Sequence, residues 1–192
     1  MMFAFFKNNS DNILKLSVNQ IAMTIFGLLL TAATYSNKKL LFATGVLSAV
    51  FYLYLIYTTA WDIGARDKIK IDGGRMDKNS SKGALLGIGA NVINIILILT
   101  AIICFYLADN LHLQWAANTT AITGLIAYLI NGMYIAVISF AKILPFNFEL
   151  FKLFLLLFTV IISVLVSFVA YLAGVSNFRV LNALGINRSA KK

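Results

Sequence analysis

Five long apolar blocks, at residues 17–35, 40–61, 84–108, 119–141 and 151–174, alternate with short polar stretches along this chain. Each block is long enough to cross a hydrocarbon core of about 30 Å at about 1.5 Å of rise per helical residue. The apolar character within a block is continuous. A soluble helix would show an amphipathic stripe, and a membrane β-strand would alternate over about ten residues. In lipid a helix also pairs every backbone polar group within itself. The pattern therefore predicts an all-α, polytopic transmembrane helical bundle of about five spans, one membrane domain over residues 1–192.

The connections refine this picture. The first apolar run, with Phe3, Phe5 and Phe6, is too short for the core of a secretory signal and suits a segment dipping into the interface. Ser36, Asn37, Lys38 and Lys39 make a tight turn. Tyr52, Tyr54, Tyr57 and Trp61 gather towards the far end of the second block, where aromatic rings suit the headgroup boundary. The only proline, Pro145, falls in the fourth connection, where a missing backbone donor does least harm.

Composition agrees: 60% of residues are hydrophobic and 12% charged, leaving too little polar surface for a core in water. The formal net charge of +9 raises the question of nucleic acid, but the cations lie between apolar blocks and in the tail, where anionic lipid attracts them. No nucleic-acid partner is expected. With five crossings, ten Lys and Arg face one side and six the other, so the positive-inside rule puts the start of the chain in the cytoplasm of a cell with this protein in its plasma membrane. The tail is awkward, because Arg179, Arg188, Lys191 and Lys192 then lie outside; a re-entrant segment among the five would bring them in.

The stretch over residues 61–83 concentrates six basic residues and four aspartates, and is expected to form a charged cytoplasmic loop over residues 62–83. Continuing the second helix would bring Asp62 and Arg66 together at i,i+4, with Trp61 as the interfacial anchor. Ile69 and Ile71 alternate with charged neighbours, Gly73 and Gly74 offer a turn, and Ser80 or Ser81 suits a helix cap. Gly73, Gly74 and Arg75 fit a small anion-binding concavity of backbone donors and a guanidinium. Trp61, Asp62, Arg66, Asp67, Gly73, Gly74 and Arg75 are thus the candidate surface for anionic lipid or a partner, weighed against a merely solvated, salt-bridged loop.

Asp62, Gly64, Ala65 and Arg66 resemble part of the aspartate-rich motif of membrane alcohol phosphatidyltransferases. The two further aspartates of that motif are missing, since no acid follows Gly83 before Asp109, so a two-metal site lacks its ligands. Apart from Lys152 at the edge of the fifth block, the spans contain no Asp, Glu, Lys, Arg or His, which leaves amide chemistry. Asn94 and Asn131 lie about ten and twelve residues into antiparallel neighbours, so helical rise puts both near the midplane, within reach of each other. Gln20 and Asn91, nearer the cytoplasmic end, suit a polar pocket with Asp62 and Arg66. Gly83, Gly87, Ala90 and Asn94 make a small-residue packing face. Cys104 and His112 stand alone and suggest neither disulfide nor metal; no cofactor or metal is expected.

Gln20, Gly27, Trp61, Asp62, Gly64, Asp67, Gly74, Arg75, Asn91 and Asn94 together form a pattern that resembles a family of multi-pass bacterial membrane proteins without an assigned activity, and the resemblance supports a bacterial membrane location and nothing catalytic. The leading expectation is a non-enzymatic membrane subunit or accessory protein. A small transport component or channel for an uncharged or weakly polar solute is the alternative, and a lipid-modifying enzyme the third.

Overall fold

The computed structural model of the protein describes residues 2–140 and 148–178. Eight α-helices and one 3₁₀ turn account for nearly all of them: α1 (Met2–Asn8), α2 (Ser10–Thr34), α3 (Lys38–Asp72), α4 (Lys82–Ala90), α5 (Val92–Leu111), α6 (Gln114–Ile130), the 3₁₀ turn Gly132–Tyr134, α7 (Ile135–Phe140) and α8 (Phe148–Val175). Four helices are long and apolar enough to cross a membrane, and five segments are if the bent α6–α7 pair counts as one. The expected all-α bundle is what forms. Pro145 and Lys142, and the tail residues Arg179, Arg188, Lys191 and Lys192, lie outside the described residues.

Local chemistry explains the element ends. Asn37 caps α3, its side-chain oxygen accepting from the Lys39 and Leu40 amides, which satisfies two of the donors a helix start leaves over. His112 closes α5 in the left-handed conformation, with φ 51°. The segment expected as a loop over 62–83 is helical as far as Asp72. At 35 residues, α3 outlasts any hydrocarbon core and continues eleven residues beyond Trp61. Ser81 occupies the N-cap of α4 without a side-chain cap bond; instead Asn79 accepts from the Ser81 amide at 3.0 Å.

Two ends of the bundle follow from the contacts. At one, called here the Gly73 end, α3 finishes and α4 begins; at the other, the His112 end, α5 turns into α6. Helix α2 runs antiparallel to α3, tied by Asn19 to Thr59 at 2.8 Å and by Thr34 to Thr44 at 3.1 Å, so it starts at the Gly73 end. Helix α8 finishes there too: Gly174 packs on Trp61 and Gly64, and the Trp61 indole donates to the Phe178 carbonyl at 2.8 Å. Glu149, Lys152 and Leu153, near the start of α8, face Phe105, Asp109 and Ala117 across a cavity, at the His112 end.

The remaining segment behaves differently. Helix α6 enters from the His112 end and bends by 79° into the residues that follow Asn131. Past the bend, Met133 sits on Gly27 of α2 and Ala136 on Gly45 of α3, and the rings of Phe140 and Phe42 meet edge to face at 5.2 Å. Phe42 lies four residues from the start of α3, so α7 finishes on the side from which α6 entered. Tyr134, at the bend, stacks edge to face on Tyr52 at 5.9 Å. Tyr52 is nine residues before Trp61, about 14 Å away by helical rise, half a hydrocarbon core. The segment predicted as a fourth span is thus bent near mid-depth, as a broken span or a re-entrant hairpin is, and four segments run from end to end beside it: α2, α3, α4 with α5, and α8.

Candidate functional site

Two polar regions occupy the bundle, one at mid-depth and one at the Gly73 end. At mid-depth, Asn94 and Asn131 are 2% and 1% exposed and hydrogen-bond each other in both directions, at 3.2 and 3.0 Å. The second amide hydrogen of Asn131 goes to the Ala127 carbonyl of its own helix at 2.8 Å. Asn91 repeats the device at the break between α4 and α5, donating to the Gly87 carbonyl at 3.0 Å and to the Ser163 hydroxyl of α8 at 3.3 Å. A side chain that hydrogen-bonds the carbonyl four residues back competes with the helical ladder, and both interruptions occur where an asparagine does so. The reciprocal Asn94–Asn131 pair is the one the spacing predicts.

Close backbone approach holds this layer together. A methyl group on Gly27 would come within 2.6 Å of the Met133 nitrogen, and one on Gly132 within 2.6 Å of the Thr24 carbonyl oxygen, so the hairpin tip seats directly on the α2 backbone. Gly87 packs likewise against Ser167 and Val164 of α8, at 3.1 Å to each. The small-residue face expected on the third span is therefore in contact with α8. Ser48 and Tyr134 keep buried hydroxyls without a hydrogen-bond partner among the described residues; no spacing or motif singles them out.

At the Gly73 end the structure redistributes the candidate surface. Asp67 is 3% exposed. Its carboxylate pairs with the Lys82 ammonium at 2.7 Å, stands 3.8 Å from that of Lys70, and accepts from the Tyr171 hydroxyl at 3.1 Å. It joins α3, α4 and α8 internally and is not part of an outer binding face. Lys82 is itself 8% exposed, and neither it nor Tyr171 was predicted; the pairing depends on α8 folding back 104 residues later.

The proposed anion concavity is also corrected. The amides of Gly73, Gly74 and Arg75 donate to the carbonyls of Ile69, Ile71 and Lys70, at 3.1, 3.0 and 2.9 Å. These bonds close the helix in a Schellman motif, with Gly74 at φ 66°, the left-handed conformation that glycine adopts without steric cost. The backbone donors are spent on α3. Arg75 is exposed, so only its guanidinium still faces out. The same motif ends α8, where Asn177 takes φ 57° and Phe178 donates to Ala173 at 2.8 Å.

Asp62 and Arg66 pair at i,i+4 as predicted. Both line a cavity of about 560 Å³ between α2 and α3, with Lys15, Asn19, Thr58 and Thr59. Trp61 turns instead towards Phe178. Gln20 and Asn91 do not join Asp62 and Arg66: Gln20 is buried on α2, and Asn91 is bound to α8. A second cavity, about 670 Å³, opens at the His112 end between α5, α6 and α8. Lys152 lies there 5.7 Å from the Tyr128 ring centroid and pairs with Glu149. Among the described residues no three His, Cys, Asp or Glu side chains come together as metal ligands. Comparison of the chain with protein-family models, with characterised proteins and with solved structures gives no match.

Proposed function

We propose that the protein is a non-enzymatic membrane subunit or accessory protein that presents a rigid, charged platform at the cytoplasmic surface to a partner or to anionic lipid. The observation that carries this reading is the helical extension of α3, residues 62–72, which Asp67 pins to Lys82 and Tyr171. An ordered extension offers a fixed charge pattern at lower entropic cost on binding than a loose loop.

The bent segment is read as a re-entrant hairpin, and the distribution of charge supports the orientation. Lys7, Lys15, Arg66, Lys68, Lys70, Arg75, Lys78 and Lys82 belong to the Gly73 end, whereas Lys38, Lys39 and Lys152 belong to the His112 end. Among the described residues eight cations thus face three, and the positive-inside rule assigns the Gly73 end to the cytoplasm. The location is the plasma membrane, of a bacterium by the resemblance described above. Purification of the full chain in mild detergent is the test: a partner retained stoichiometrically, and lost when the exposed cations Arg66, Lys70 and Arg75 and the half-buried Lys68 are replaced by Gln, is expected. A monodisperse chain without partner or bound lipid contradicts the proposal.

The unpartnered Ser48 and Tyr134 hydroxyls beside a bent hairpin favour a second reading, a transport component for a weakly polar solute, since broken helices at mid-depth occur where they line a cavity or are enclosed by protein. Against it, the amides of Asn94 and Asn131 are engaged with each other. Solute flux in vesicles that survives Asn94→Leu removes the amide layer from any such path.

A further inference from the structure

We propose that the groove between α2 and α3 at the Gly73 end is a binding site for the headgroup of an anionic phospholipid. The proposal gives a ligand class to the surface described above and rests on that orientation only for the choice of leaflet. Two cations, Lys15 from α2 and Arg66 from α3, line the groove with one carboxylate, Asp62, so it carries one net positive charge. Lys15 is exposed and has no ion-pair partner among the described residues. The Asp62 pairing holds Arg66 in place while leaving most of its five donors for a phosphate. Between the charges, the Asn19 amide donates to the Thr59 hydroxyl at 2.8 Å, giving the groove a polar floor where two membrane helices would otherwise meet with apolar side chains.

The walls say what kind of anion fits. Leu14 and Val18 line the groove and are 63% and 53% exposed; Ile21 and Ile25 continue the row at 61% and 55%. Positions 14, 18, 21 and 25 recur at helical spacing on one face of α2, so an apolar track runs from the charged groove towards mid-depth. A headgroup between Lys15 and Arg66 would lay its acyl chains along that track. A free phosphate would leave it unused, and a soluble acidic segment would not enter lipid.

The test uses the full chain in lipid discs of zwitterionic phospholipid with and without phosphatidylglycerol, with native mass spectrometry counting lipids retained on release. One anionic lipid kept in preference to the zwitterionic one is expected. Lys15→Gln, which breaks no hydrogen bond or ion pair among the described residues, should lower that retention about fivefold, the value of one cation near a membrane surface, and Arg66→Gln by a similar factor. Lys78→Gln, at the same end but outside the groove, should leave it unchanged, and excess inorganic phosphate should not displace the lipid. Equal loss in the Lys78 variant, absence of headgroup preference, or displacement by inorganic phosphate would each overturn the proposal. A partner captured in the purification above with no such preference defeats the lipid site alone, whereas a retained lipid without a partner leaves it standing.

Discussion

Asn94 of α5 and Asn131 at the end of α6 exchange hydrogen bonds in both directions, at 3.2 and 3.0 Å, and this exchange joins the tip of a bent hairpin to an end-to-end helix at mid-depth. Two amides that satisfy each other need no water, which the interior of a membrane does not supply.

Removing either partner strands the other. Asn94→Leu or Asn131→Leu alone should lower stability in mild detergent by about 1–3 kcal/mol, the usual cost of an unsatisfied buried polar group. The double variant should recover part of this, with a coupling of about 0.6 kcal/mol and at most about 1.7. Denaturant unfolding of the four proteins of the cycle measures it; strictly additive losses would show that the pair is not an energetic unit.

The buried ion pair between Asp67 and Lys82 leads to a sharper expectation. Asp67→Ala leaves the Lys82 ammonium, 8% exposed, with no counter-charge and should cost about 3–5 kcal/mol, while the double change Asp67→Leu with Lys82→Met should restore most of the loss. The exposed Asp62–Arg66 pair, with side chains 57% and 51% exposed, should matter by less than about 1 kcal/mol. Comparing melting temperatures of the three variants checks the ranking, and equal losses would speak against it.

Gly27 seats the hairpin tip, whereas the nearest atom to a methyl group on Gly124 would be 3.6 Å away. Gly27→Ala should therefore destabilise by about 1–3 kcal/mol through overpacking, and Gly124→Ala should stay within about 0.5 kcal/mol of the parent. A tolerated alanine at position 27, read by the same unfolding assay, would mean the hairpin does not press on α2.

How far the sequence was legible depended on distance along the chain. Asp62 with Arg66 is a local pair set by helical period, and Asn94 with Asn131 follows from rise along adjacent antiparallel helices, so both were readable. Asp67, Lys82 and Tyr171 come from three helices, and no spacing rule relates α3 to α8 until the path of the intervening hairpin is known. That path hid in plain apolar sequence. Asn131 followed by Gly132 is a turn-forming dipeptide inside a block whose hydropathy alone suggests a crossing. The extension of α3 was obscured for the opposite reason: dense charge over residues 62–72 suggested a loop, although Asp62 to Arg66 and Asp67 to Lys70 are helical i,i+4 and i,i+3 spacings.

Whether the chain crosses the membrane four times, with α6 and α7 re-entrant, is decided by labelling single cysteines with a membrane-impermeant reagent in intact cells, after Cys104 is replaced by Ser. Cysteines at His112 and at Asn147 should both label from outside, and cysteines at Met76 and Ala190 should label only after the membrane is opened. Labelling at Ala190 but not at Asn147 in intact cells would mean that the hairpin is a fifth crossing, and would contradict the four-crossing fold on which the cytoplasmic platform rests.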